Sequence, residues 1–441
     1  MTTSAAQVDP LDEMLPAGRM LAIGLQHVLV MYAGAIAVPL VVGGAFRLPK
    51  DQIAFLINAD LFACGVATLI QCIGFWRFGI RLPVMMGVTF VAVLPIAAMA
   101  VAGATITDVF GAVIVAGLFT IVLAPFAGRL VRYFPPLVTG TIVTVIGVTL
   151  LRVAVNWAGG GIRNFGDPTN LAIALAVLVV IVGVNKLFDG FVANIAVLLG
   201  LAVGFVAALA FGLVDLTGVR EADWFALVHP FRFGLPTFDA AAIATLCIVM
   251  VVSMIESTGV YLTLGEICAR PVGPKEIARG LAGDGLGTVI GGVFNTFPYT
   301  SFSQNVGLVG VTGVRSRWVV AVAGAILVLF GLFPKMGSVV ASIPHPVLGG
   351  AALVLFGIVA ATGIRILGRV DYASRHNVLI VAVSIAVGVI PVISPTFFGQ
   401  FPRWSAPVLG SGITLATATA VLLNLLFNGS GEARRDAAQE S

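Results

Sequence analysis

The sequence predicts an all-α membrane protein with fourteen transmembrane segments in a seven-plus-seven inverted repeat. Three observations carry that expectation. Of 441 residues, 59% are hydrophobic and only 10% charged, against roughly 25% charged in soluble domains. Apolar stretches of spanning length, some shortened by Gly and Pro, recur in two series on either side of the longest polar interruption, residues 215–238. Basic residues, placed in the loops that this division creates, fall two to one on the side of the N-terminus.

The first series lies near residues 20–44, 53–75, 83–101, 108–127, 135–157, 169–185 and 191–213. The second lies near 239–264, 277–294, 299–312, 317–335, 344–364, 376–393 and 406–427. An odd number of spans in each half places the halves in opposite orientations, which makes an inverted repeat the economical reading. With the N-terminus inside, sixteen of the 24 Lys and Arg residues fall on the cytoplasmic side, among them Arg77, Arg81, Arg129, Arg132, Arg315, Arg317 and Arg365. Eight fall outside, including Arg47, Lys50, Arg163 and Arg403. Both termini are therefore expected in the cytoplasm, and the protein in the inner (plasma) membrane.

Residues 1–18 contain Asp9, Asp12 and Glu13 without a basic start, so they read as a short cytoplasmic tail rather than a cleavable signal peptide. The tail 428–441, with Arg434 and Arg435, is too short for a soluble regulatory domain. The net charge of +4 is accounted for by orientation in the bilayer and does not imply nucleic acid. Cys64, Cys72, Cys247 and Cys268 show neither metal-ligand spacing nor a secretory disulfide framework. No cofactor or metal is implied, and without a nucleophile–base pair an enzyme is not expected.

Residues 295–317 sit among the spans yet read as a poor membrane helix, carrying Pro298, Thr300, Ser301, Ser303, Gln304 and Asn305, with glycines at 307, 310 and 313. Non-helical backbone at bilayer depth survives only where protein or a water-filled cavity surrounds it. The expected form is a short extended piece, roughly 299–303, then a half-helix starting near Gln304 whose N-terminal amides face a cavity. Span 3 matches it in kind, with Pro83, Gly87, Pro95 and the strand-forming group Val88, Thr89 and Phe90. Two such pieces can pair as strands and satisfy each other's backbone groups, which would turn Phe90 toward the cavity.

An ionisable side chain in the bilayer costs roughly 2.5–3.5 kcal/mol on insertion scales, so each calls for a partner or a function. The shortlist is His27, Glu256 and Asp284, most other acids falling in loops or near membrane edges. Glu256 has Ser253, Ser257 and Thr258 beside it and is the strongest candidate for a carboxylate that binds and releases a proton, because desolvation favours the neutral acid. Asp284, among Gly283, Gly285 and Gly287, reads as a support to the site, and His27 as a relay or hydrogen-bond anchor.

The run from Gln304 to Gly313 resembles the signature of the nucleobase–ascorbate transporters: Gln, Glu or Pro, then Asn, any residue, Gly, four residues, Thr, and Arg, Lys or Gly. Gln304, Asn305, Gly307, Thr312 and Gly313 all match, and the stretch around His27 together with Phe90, Glu256 and Asp284 extends the resemblance over nearly the whole chain. It implies a core domain of residues 19–134 and 239–343 and a gate domain of 135–238 and 344–427, with a homodimer through the gate. It also implies roles: Glu256 and Gln304 hydrogen-bonding a planar purine, Phe90 stacking on it, and backbone amides at Ser303 and Phe90 reading its carbonyls. Asn305 joins Asp284 and His27 around the site. In this resemblance Gln304 points to the xanthine and uric acid branch, and Thr89 leans toward uric acid.

The leading expectation is a proton-coupled purine symporter working by elevator-like movement of core against gate. A passive channel would show a continuous polar stripe, whereas polarity here concentrates on spans 3, 8, 9 and 10. An anion exchanger of the same architecture would favour a basic residue at the half-helices, and spans 3 and 10 hold none before Arg315.

Overall fold

The computed structural model describes residues 9–130, 133–161, 165–402 and 405–429. The outermost parts of both tails, and Arg132, Arg163, Arg403, Arg434 and Arg435 of the charge pattern, lie outside the described residues. Helices of nine residues or more are numbered in chain order: α1 Ala17–Ala45, α2 Lys50–Ile73, α3 Val93–Val101, α4 Ile106–Leu123, α5 Pro136–Ala158, α6 Pro168–Leu187 and α7 Ala196–Ala210. The second half gives α8 Ala240–Ile267, α9 Pro274–Val293, α10 Ser303–Thr312, α11 Arg317–Gly331, α12 His345–Leu367, α13 Arg375–Ile393 and α14 Gly412–Asn428. Two strands, β1 Met86–Val88 and β2 Tyr299–Ser301, precede α3 and α10.

Local sequence explains where the helices start. Asp239 accepts from the Ala242 amide at 2.8 Å, and Thr105 and Asp108 form a reciprocal capping box at α4. Proline occupies the first turn of α5, α6, α9 and α12, where its missing N–H has no helical partner to lose. Every apolar stretch read from the sequence overlaps one of these helices, those near 83–101 and 299–312 also containing the two strands. Among the described residues, eight are long and apolar enough to cross a membrane, or up to nine if α11 and the following Pro334–Ala341, bent by 79°, form one span.

The main packing contacts recur in pairs between the halves. α2 packs on α11 as α9 packs on α4, α1 meets α11 as α8 meets α4, and α6 meets α7 as α13 meets α14. α5 and α12, which correspond to each other, form the most extensive helix pair. Small residues permit these crossings: a Cβ on Gly285 would lie 2.8 Å from the Gly117 carbonyl oxygen, and one on Gly65 would run into the backbone of Gly324. The most extensive helix contacts lie within α1–α4 with α8–α11 and within α5–α7 with α12–α14, while α3 also touches α14.

Candidate substrate-binding site

The two broken spans meet in an antiparallel pair, Met86 opposite Ser301, Gly87 opposite Thr300 and Val88 opposite Tyr299. Thr89 N–H donates to the Pro298 carbonyl at 2.9 Å and Phe302 N–H to the Met85 carbonyl at 2.8 Å, which extends the pairing at both ends. Threonines of flanking helices take two further amides, Met86 N–H on Thr68 Oγ1 at 3.0 Å and Tyr299 N–H on Thr288 Oγ1 at 3.1 Å. These amides of the extended backbone are thus satisfied by protein groups. Gly87 admits the Phe302 ring, which lies where a side chain would stand.

Both segments differ slightly from their expected limits. β2 ends at Ser301 and α10 begins at Ser303, one residue before the expected start. β1 covers Met86–Val88 rather than Val88 to Phe90, because the Thr89 hydroxyl accepts from Val91 N–H at 3.2 Å and starts a tight helical turn, Phe90–Ala92.

A cavity of about 280 Å³ opens where these elements meet. One wall carries Phe90, Glu256, Thr300, Ser303 and Gln304; the other is built from α5 and α12, through Val143, Ile146, Thr362 and Arg365. The cavity therefore lies between the two packed groups of helices. Glu256 and Gln304 are half-buried. Neither forms a hydrogen bond with another described residue, so both present free polar atoms to whatever enters. Phe90 is braced edge-on by Phe356, at 5.9 Å and 81°, and packs at a tilt on Phe302, at 6.3 Å and 47°. Phe302 provides no side-chain cap to α10, which leaves first-turn amides at Ser303 and Gln304 available.

The hydroxyls near Glu256 serve other groups than expected. Ser257 Oγ accepts from Ser301 N–H and lies 3.1 Å from Thr300 Oγ1, Ser253 Oγ donates to Thr89 Oγ1 at 3.3 Å, and Thr258 turns back onto the Met254 carbonyl. Ser257 thus holds β2 to α8 and Ser253 holds the residue after β1, and none of the three engages the carboxylate. Thr89 is itself fully buried and stands behind Phe90, off the cavity wall.

Asp284, His27 and Asn305 are buried around the site without lining the cavity. Asp284 Oδ1 accepts from Gln71 Nε2 at 2.6 Å and Tyr261 OH at 2.7 Å, joining α9 to α2 and α8 rather than to a broken segment. Asn305 Nδ2 donates to the His27 carbonyl at 2.8 Å and lies 3.2 Å from His27 Nδ1, which pins α10 to α1. That contact suits a neutral His27 with its proton on Nε2. Thr312 bonds back to the Leu308 carbonyl, and Gly313 ends α10 in the left-handed region at φ 65°, which favours glycine. Gly307 lies exposed on the helix.

The shortlist of buried ionisable residues missed Asp60, which lies inside the apolar run of α2 and carried the same signal of an acid at bilayer depth. Its Oδ1 accepts from Tyr299 OH at 2.8 Å and Thr296 Oγ1 at 2.9 Å, so it anchors β2 from behind. Asp60→Ala should take the carboxylate acceptor from two buried hydroxyls, at roughly 1–3 kcal/mol for Thr296 and less for Tyr299, which keeps the Asp60 carbonyl at 3.2 Å, whereas Asp60→Asn keeps a side-chain acceptor and should lose less. Thermal unfolding in detergent checks this, and equal stability of wild type and Asp60→Ala would remove Asp60 as the anchor.

Residues 18–397 match the sequence profile Xan_ur_permease, described as Permease family. The chain is 52% identical over 426 residues to the uric acid transporter UacT of Escherichia coli (strain K12), covering 96% of this chain and 88% of that protein. It belongs to the nucleobase–ascorbate transporter family. Within that family it is also 44% identical over 420 residues to the xanthine permease of Bacillus subtilis (strain 168), covering 95% and 96% of the two chains. The transmembrane domain of a cyanobacterium bicarbonate transporter, BicA, superposes with a TM-score of 0.59 at 16% identity, covering 93% of this chain and 98% of that one. That likeness shows a shared fold. In this nucleobase–ascorbate transporter the signature thus combines a free Gln304 on the cavity, an Asn305 that pins the half-helix and a Gly313 that ends it.

Proposed function

We propose that this permease takes up an oxidised purine, uric acid or xanthine, together with a proton across the cytoplasmic membrane. The observation that carries the proposal is one cavity bordered by the Phe90 ring and the free ends of Glu256 and Gln304. An oxopurine presents alternating N–H donors and C=O acceptors in one plane; a carboxyl group and a carboxamide can match them while an aromatic face stacks, for roughly 1–3 kcal/mol by analogy with nucleic-acid bases. Glu256 would carry the proton, with Asp284, His27 and Asn305 holding the frame. Residues 19–134 and 239–343 would move as the core against a gate of 135–238 and 344–427, through fourteen crossings with both termini inside. Association as a homodimer through the gate goes with this reading.

Uptake of labelled uric acid and xanthine by cells expressing the protein, each in competition with uracil, adenine and ascorbate, tests the proposal. The expected result is mutual inhibition by the two oxopurines and weak inhibition by the other three; uptake of neither purine would refute it.

Thr89 would set the choice between the purines indirectly. Asn in its fully buried place has to displace Phe90 or Ser253, and the loss of clearance at the ring edge should penalise uric acid, which carries an extra C8 oxygen. Thr89→Asn is expected to lower the uric acid to xanthine uptake ratio several-fold, measured in the same cells with surface protein quantified. An unchanged or higher ratio would show that Thr89 does not set the choice.

A further inference from the structure

Resting on the oxopurine reading, we infer that Arg365 makes the site selective for the anionic form of its substrate, so that a urate-like monoanion travels with one proton and no net charge. Arg365, an exposed residue in the last turn of α12, lines the same cavity as Phe90, Glu256 and Gln304. Arg365 and Glu256 are the two charged side chains among the described cavity-lining residues, and they form no ion pair with each other. Arg365 has no hydrogen-bond or ion-pair partner elsewhere among the described residues. A guanidinium is permanently charged and presents planar donors suited to a delocalised anion. The uncapped N-terminus of α10 opens on the same cavity and adds partial positive charge there.

Two independent positive features therefore converge on a cavity holding a single carboxylate. When Glu256 is protonated, the surroundings favour a substrate that supplies the missing negative charge. Uric acid is a monoanion at neutral pH, whereas xanthine is mainly neutral. The proton on Glu256 balances the urate charge through the cycle, while transport of neutral xanthine moves one positive charge inward. Arg365 on α12 also answers the argument that half-helices without a basic residue cannot favour an anion, because the fold brings the cation from another span.

The full chain reconstituted in vesicles, with imposed pH gradient and membrane potential, tests this with labelled urate and xanthine. The expected result is urate accumulation that follows the pH gradient and ignores an interior-negative potential, with xanthine accumulation rising under that potential. Arg365→Gln should lower the urate to xanthine ratio by about tenfold, the effect of one partly screened charge at close range, and Arg365→Lys should recover most of it. Retention of xanthine uptake by Arg365→Gln shows that the variant folds; loss of both activities with normal folding in detergent would overturn a selective role. An unchanged ratio in Arg365→Gln, or urate uptake as sensitive to potential as that of xanthine, also overturns the inference while leaving purine transport standing. Failure of the wild type to take up either purine removes both readings together.

Discussion

Glu256→Gln is expected to abolish accumulation of purine against its gradient while leaving exchange of purine across the membrane. The amide keeps the size and much of the hydrogen-bonding capacity of the carboxyl group, but it cannot take up and release a proton. In the structure the carboxyl group faces the cavity without another described residue as partner, so the substitution breaks no framework contact and its effect reads directly on coupling. For one proton per substrate without net charge, a pH difference of one unit sustains roughly tenfold accumulation, since one unit is worth about 1.36 kcal/mol. Wild type should approach that ratio and the mutant should stay near one. Uptake into vesicles at imposed pH gradients, alongside counterflow at equal pH, separates the two activities. Undiminished gradient-driven accumulation by the mutant would remove Glu256 from the coupling mechanism.

Gln304→Glu should reduce purine uptake at least several-fold. Gln304 offers both a donor and an acceptor to the cavity, and an ionised glutamate offers acceptors only, so a purine carbonyl loses its partner at roughly 1–3 kcal/mol. The new carboxylate would also stand in the same cavity as Glu256, where like charges disfavour a substrate anion. Purine uptake at matched surface expression is the measurement, and uptake equal to wild type would count against the assigned site. Because the Gln304 side chain makes no hydrogen bond with another described residue, its loss should leave the unfolding temperature of the detergent-solubilised protein close to that of the wild type.

Much of this arrangement was legible before the fold, for physical reasons that differ between residues. Pro83, Gly87 and Pro298 interrupt apolar stretches, and backbone cannot be left unsatisfied in lipid, so two broken spans had to meet; they do, as β1 and β2. Glu256 and Gln304 were legible because polar groups at that depth need a reason. The side on which Thr89 falls was not legible. Side chains alternate along a strand, so ending β1 at Val88 and turning the chain there sends Phe90 to the cavity and Thr89 toward Ser253. Asp60 carried a readable signal, an acid within an apolar run, and the shortlist left it out. Arg365 carried none, because in sequence it is a basic residue at the end of a span; only the packing of α12 across the cavity gives it a partner to attract.

In the proposed mechanism Glu256, Gln304 and Phe90 surround the transported purine. A structure of the full-length protein determined with uric acid or xanthine bound tests it most directly. The expected result is a planar ligand stacked on the Phe90 ring, within hydrogen-bond reach of both Glu256 and Gln304, in the cavity between β1, β2, α10 and α12. A purine seated elsewhere would contradict it, for example in the separate pocket of about 650 Å³ lined by Lys50, Asp51 and Asp215.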